Sequence, residues 1–270
     1  MHLPNGSFAT FGGNGAVTVG GTLGSDPYPG NFSAIYDATY QDYDGTTAIR
    51  IVNPCNPGDD FSSSQCAWYD DPSVLSMQKH RWYSSAEPLA DGTIAIIGGF
   101  VNGGYINRNY PNTDPDGPAA ENTFEFFPAN GRTATKMQFL IETSGLNSYS
   151  HTYLLASGKM LIQANISTSN SLFFCRLLYS HSPVIWDPNK NADDETRLPD
   201  MPGNVVRVYP GSGATAMLPL TPANNYIPTV LFCGGQDMPQ EDWGDYSFPR
   251  CKHMACSGFE GLSTAYPRTC

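Results

Sequence analysis

Apolar residues in this 270-residue chain alternate with polar ones in short runs, and Gly, Pro, Asn or Asp clusters separate the runs. That period of two, punctuated by turn residues, predicts strands and tight hairpins rather than helices. One unit recurs: a strand, a glycine-bearing turn, then a β-branched strand often ending in Gly-Gly. It is found as "GSFATFGGNGAVTVGG" (6–21), "WYSSAEPLADGTIAIIGG" (82–99), "YSHTYLLASGKMLIQAN" (149–165) and "GATAMLPLTPANNYIPTVLFCGG" (213–235). Each copy predicts a hairpin by turn chemistry and alternation. Between them, "TTAIRIVNP" (46–54), "NTFEFFPAN" (122–130) and "VIWDPNK" (184–190) predict outer strands.

A repeating hairpin followed by an aromatic-rich outer strand is the pattern of a kelch-type β-propeller blade. Glycines at the ends of the inner strands let backbones approach near a central channel, where a side chain would clash. The expected fold class is therefore all-β, a kelch-type propeller spanning residues 1–250. The chain contains three blades and the start of a fourth. Propellers close with about four to eight blades, so the sequence reads as an incomplete ring and a fragment.

Two segments break the pattern. "SNSLFFCRLLYSHSP" (169–183) falls where a blade needs only a short turn; without it, "QANISTVIWDPNKN" runs directly from strand to strand. It reads as a foreign insertion, such as a retained in-frame intron, with a genuine loop or short helix as the alternative. The tail "CKHMACSGFEGLSTAYPRTC" (251–270) loses the strand alternation and carries three of the seven cysteines.

Charge narrows the partners. Fourteen basic against 25 acidic residues give a net charge of −11, a surface that repels nucleic-acid backbones and anionic membranes. No segment has the apolar length of a membrane span. The start, "MHLPNGSFATFGG", lacks the basic and apolar regions of a signal peptide. Asn5, Asn31 and Asn165 head Asn-x-Ser sequons, acceptor sites for glycosylation in a secreted protein. Cys55 and Cys66 lie eleven apart in a turn-rich loop, which favours a local disulfide and an oxidising compartment. Zinc is the rival reading, but no second pair or neighbouring His supplies further ligands.

The five histidines, His2, His80, His151, His181 and His253, show no metal-ligand spacing. Nucleophile elbows, phosphate loops and dinucleotide fingerprints are missing from the sequence. On composition alone, Tyr83 in "RWYSSAEPLADG" reads as a strand aromatic packed in a sheet.

Four stretches change that reading: "MHLPNGSFATFGGNGAVTVGG", "RWYSSAEPLADGTIAIIGG", "NVVRVYPGSGATAMLPLTPANNYIPTVLFCGG" and "DMPQEDWGDYSFPR". Together they resemble the N-terminal propeller region of the glyoxal oxidases, secreted fungal copper radical oxidases more distantly related to galactose oxidase. The resemblance covers almost all of residues 1–250 outside 169–183. It implies a seven-bladed propeller with one copper, held by two tyrosines and two histidines. One of the tyrosines is cross-linked to a cysteine and carries a radical, and Tyr83 matches it. Copper moves one electron whereas aldehyde oxidation needs two, so a ligand radical supplies the second equivalent. Imidazole and phenolate donors suit copper. The implied reaction takes a small aldehyde, water and O2 to a carboxylic acid and hydrogen peroxide, outside the cell.

The resemblance also implies departures. It places the cross-linking cysteine ahead of Met1, and the second tyrosine with both histidines beyond Cys270. Tyr149 and His151 are not the tyrosine-histidine pair, because Ser150 separates residues that are adjacent in the family motif. Tyr83 is then the one matching copper ligand, and the chain is expected to be inactive by itself. The alternatives are a non-catalytic kelch-type propeller that binds glycan or protein, and a mispredicted gene fragment.

Overall fold

Three of the four predicted hairpins, at 82–99, 149–165 and 213–235, are formed in a computed structural model. It describes residues 1–13, 36–37, 42–43, 45–101, 120–143, 148–164, 183–190, 194–199, 201, 207–208, 213–235, 255–260 and 264–269. Strand β1 (Phe8–Phe11) pairs antiparallel with β4 (Ile49–Val52), while β2 (Tyr36–Asp37) and β3 (Asp42–Tyr43) form a two-residue ladder. Three four-stranded sheets follow, each an antiparallel meander in chain order. The second sheet holds β5 (Ser85–Pro88), β6 (Ile94–Ile97), β7 (Thr123–Phe127) and β8 (Thr135–Lys136). The third holds β9 (His151–Leu154), β10 (Met160–Gln163), β11 (Val184–Trp186) and β12 (Glu195–Arg197). The fourth holds β13 (Gly213–Met217), β14 (Thr229–Gly234), β15 (Ala255–Glu260) and β16 (Thr264–Thr269). Among the described residues the helices are short: α1 (Gln138–Glu142) and a 3-10 turn (Pro222–Asn224). None of the helices among the described residues is long and apolar enough to cross a membrane. The protein is thus all-β in character, built of separate antiparallel sheets.

Two hairpins use one turn. In Leu89–Thr93 the Leu89 amide bonds the Thr93 carbonyl and the Gly92 amide bonds the Leu89 carbonyl; Leu155, Lys159 and Gly158 repeat both bonds. Gly92 and Gly158 take φ of 86° and 78°, a conformation that costs side chains energy and glycine little. This is why "LADGT" and "LASGK" sit at equivalent places in the two copies.

The inner two sheets bury both faces. Ile94 and Ile96 of β6 pack with Ile49, Leu75 and Met77 against the first sheet. Ala95 and Ile97 turn the other way, joining Phe124, Phe126, Phe139, Met160, Ile162 and Trp186 in a core shared with the third sheet. On β10, Met160 and Ile162 face that core while Leu161 faces Ile185, Val230 and Phe232 towards the fourth. Successive side chains leave a strand on opposite faces, so a strand covered on both sides reads as a continuous apolar run, as "IAII" and "MLI" do. The layers therefore follow one another in sequence order, joined face to face.

The outer-strand expectations correspond to β4, β7 and β11. The second arm of the first predicted hairpin falls in 14–21, outside the described residues; β1 takes its observed partner from β4 instead. Segment 169–183 lies outside the described residues except for Pro183. It falls within one connection, because Met160 pairs with Trp186 and Ile162 with Val184 on either side of it. The tail departs from its sequence pattern: β15 pairs with β14 from Thr229↔Glu260 to Cys233↔Cys256, and β16 closes against β15. Ladder bonds along an available edge impose strand geometry that small residues such as Ser257 and Gly258 do not advertise.

Candidate functional site

The surroundings of Tyr83 are set two residues earlier. Arg81 is fully buried. Its Nη1 donates to the carbonyls of Gly98 at 2.8 Å and Thr123 at 2.9 Å, and its Nη2 to Thr123 Oγ1 at 2.6 Å. Thr123 Oγ1 in turn donates to Glu121 Oε1 at 2.6 Å, and Glu125 Oε1 lies 3.6 Å from Arg81 Nε. Burial lowers the guanidinium pKa and raises that of the Glu125 carboxyl, and each charge opposes the other's shift. The Arg81 amide bonds the Thr46 carbonyl, tying the segment to the first sheet as well. Trp82 then exchanges both backbone bonds with Phe100, at 2.8 and 2.6 Å.

Tyr83 follows at φ 61°, in the left-handed region. Two residues before the first strand of each early copy the backbone does the same: Gly6 at 89°, Tyr83, and Tyr149 at 48°. The first copy meets this requirement with glycine; the next two place a tyrosine there, at a steric cost of about 1–2 kcal/mol. Gly99 permits the close turn, since a Cβ on it would lie 2.7 Å from the Trp82 carbonyl oxygen and 3.0 Å from the Ser84 amide.

Among the described residues, three aromatics stand around the Tyr83 ring. Trp82 is stacked at a centroid distance of 4.2 Å and an interplanar angle of 20°. Tyr149 lies at 4.8 Å, tilted by 47°, and Phe100 meets the ring edge-on at 6.4 Å. The Tyr149 amide donates to the Tyr83 carbonyl at 2.8 Å, and Ser85 Oγ donates to the Ser150 carbonyl at 2.6 Å. Two residues further along β5, the Glu87 carboxylate accepts from the Leu154 amide at 3.0 Å and from Thr152 Oγ1 at 3.3 Å. Burial raises the Glu87 pKa despite these bonds. The second and third sheets are thus stitched together beside the ring cluster.

His151 is turned elsewhere. Its Nε2 is 3.3 Å from the Arg207 carbonyl, its Nδ1 3.3 Å from Thr215 Oγ1, and its ring packs on Phe232 of the fourth sheet. Burial lowers its pKa, favouring the neutral ring. Tyr153 donates to the same Thr215 hydroxyl at 2.6 Å. Tyr149 and His151 therefore serve different sheet junctions.

For copper, the described side chains make a poor fit. Tyr83 offers a phenol, but His80 is engaged by Thr46, His151 as above, and His2 packs against Phe8. Among the described residues the one group of three His, Cys, Asp or Glu ligand atoms within mutual reach is Cys55, Asp59 and Cys66. Cys55 and Cys66 are joined in a disulfide, with Cα atoms 5.8 Å apart. Of the sequon asparagines, Asn5 is exposed and accepts from the Ser7 amide at 3.1 Å; Asn31 and Asn165 lie outside the described residues. Sequence reasoning missed the contact of Tyr149 with Tyr83. Its one available signal was the equivalent position of the two tyrosines in the repeat.

No family model matches the chain. Among curated proteins it is similar to aldehyde oxidase GLOX of Vitis pseudoreticulata, 25% identical over 197 residues that cover 72% of this chain and 29% of that protein. It is similar too to aldehyde oxidase GLOX1 of Arabidopsis thaliana, at 27% over 235 residues, 84% of this chain and 29% of the relative. A putative aldehyde oxidase, Art an 7 of Artemisia annua, matches at 26% over 205 residues, 73% and 28% respectively. The chain thus spans less than a third of the length of these relatives. The sequence relationship is to glyoxal-oxidase-like proteins, at the distance that 25–27% identity marks.

Proposed function

We propose that the chain is a part of a glyoxal-oxidase-like copper radical oxidase, its four main sheets serving as blades of a kelch-type β-propeller and Tyr83 as the redox tyrosine. The observation that carries the reading is Tyr83 itself. It is a tyrosine held at φ 61° where the first copy has a glycine, and backbone strain of this kind clusters at functional positions. The relationship to proteins named aldehyde oxidase agrees with it. So do the sequential meanders, which have the strand order of propeller blades.

The whole protein on this reading oxidises a small aldehyde to the carboxylic acid and reduces O2 to hydrogen peroxide, in an oxidising, extracellular setting that suits the Cys55–Cys66 disulfide. Asn5, Asn31 and Asn165 are its glycosylation acceptors. Copper is the cofactor of the whole protein, but the described residues do not assemble its site. What these residues do is hold a phenol. The Arg81–Glu125 network fixes the approach of the chain, Gly99 gives the turn room, and Trp82 and Tyr149 pack the ring.

The test uses a protein extended to the length of the relatives, assayed with copper and a small aldehyde. Tyr83→Phe abolishes peroxide formation there, and turnover that survives the substitution refutes the reading. The 270-residue chain alone forms no peroxide with copper. The second reading is a non-catalytic propeller that binds glycan or protein. An extended protein inert with every aldehyde and retaining Tyr83 would support that alternative.

A further inference from the structure

Two phenols in ring contact across a sheet junction, one of them open to solvent, are arranged for a reaction of their own. Tyr149 is 48% exposed, so a reagent in solution reaches it. Tyr83, half-buried, lies at 4.8 Å between centroids, at the short end of the range of about 4.5–7 Å for aromatic pairs. The tilt of 47° is neither parallel nor perpendicular. The contact is fixed from both backbones, by the bond from the Tyr149 amide to the Tyr83 carbonyl and by that from Ser85 Oγ to the Ser150 carbonyl. Both tyrosines hold left-handed conformations, with φ of 61° and 48°. Such preorganisation removes the entropy of bringing two reactants together.

We infer that Tyr83 and Tyr149 form an oxidative cross-linking site, at which a one-electron oxidant acting on the exposed phenol leads to a dityrosine bond between the second and third sheets. Each phenol gives one electron to the oxidant and one proton to water, so two equivalents of oxidant are reduced. The two phenoxyl radicals combine in a carbon–carbon bond between ring positions ortho to the oxygens. Each ring then moves its displaced C–H proton to its own oxygen and is aromatic again. The net change is the loss of two hydrogen atoms. The oxidant belongs to the class of metal polypyridyl or peroxidase-type one-electron acceptors.

Tyr69 and Tyr226 are as exposed, at 50% and 54%, so they provide an internal comparison for reactivity set by exposure alone. The inference shares Tyr83 with the proposed function but needs neither copper nor aldehyde, and the two can fail independently.

The experiment photo-oxidises the dilute 270-residue chain with ruthenium tris-bipyridyl and persulfate, isolates the monomer and maps cross-linked peptides by mass spectrometry. The expected result is a peptide pair joining residues 83 and 149, lighter by two hydrogens, with dityrosine fluorescence in the monomer fraction. That pair is lost in Tyr149→Phe and in Tyr83→Phe, each of which keeps its ring and its packing. A wild-type monomer that carries no such pair, or one whose dityrosine joins other residues, overturns the inference. So does a yield of the 83–149 pair that rises with protein concentration, which would mark coupling between molecules.

Discussion

A guanidinium with no exposure to solvent has to find its partners inside the protein, and Arg81 does so two residues before Tyr83. Removing it leaves the Glu125 carboxylate buried without the positive charge that faces it, and takes the guanidinium bonds from the Gly98 and Thr123 carbonyls. Arg81→Ala is expected to destabilise the protein by about 3–5 kcal/mol, the cost of an uncompensated buried charge, read from urea unfolding. Arg81→Met combined with Glu125→Gln recovers a large part of that loss, because neither buried charge then remains. Two titrating groups add opposite pH dependences. Glu87 has a folded pKa above the ordinary 4.5 because of burial, so its contribution is full below that value and is lost as pH rises through the folded pKa. His151 has a folded pKa below the ordinary 6.5, so its contribution is full above 6.5 and is lost as pH falls. Thermal melts over this range should show a flatter high-pH side in Glu87→Gln and a flatter low-pH side in His151→Gln, relative to the parent. A parent-like slope in either variant rejects that assignment.

Among the elements, the hairpins were legible because local chemistry dictates them. "LADGT" and "LASGK" specify the turn, and two-sided burial leaves unbroken apolar runs on β6 and β10. Glycines at these places differ in what they permit. Gly92 has open space around it, so Gly92→Ala meets backbone strain alone, about 1–2 kcal/mol. Gly99→Ala adds a methyl 2.7 Å from the Trp82 carbonyl; it is expected to cost more and to displace Tyr83, seen as a change in the near-ultraviolet circular dichroism of the ring cluster. Equal stabilities for the two variants would contradict the close approach. Strands β15 and β16 were not legible, because their pairing comes from the edge of β14 and not from their own alternation. The contact between Tyr83 and Tyr149 was hidden for a related reason: sixty-six positions separate them, and only the packing of one sheet on the next brings them together. The register of β10 and β11 bears on segment 169–183 as well. Deleting it leaves Thr168 where Pro183 now precedes Val184, a short connection with slightly lower loop-closure entropy. The deletion variant should keep a cooperative urea transition with a midpoint no lower than the parent's.

At the scale of the molecule, four sheets follow one another with both faces of the inner two covered, and the Tyr83 cluster sits at the junction of the second and third. The repeat made this order readable, since each copy of the hairpin begins a new sheet. The order does not itself supply the chemistry: the described imidazoles are distributed to other contacts, and the chain spans less than a third of its relatives. The central claim is that this arrangement exists to hold Tyr83 as a redox side chain. Its most direct test is aldehyde-dependent hydrogen peroxide formation by a copper-loaded protein of the relatives' length, with and without Tyr83→Phe. The account predicts peroxide from the parent and none from the variant; equal rates from both would contradict it.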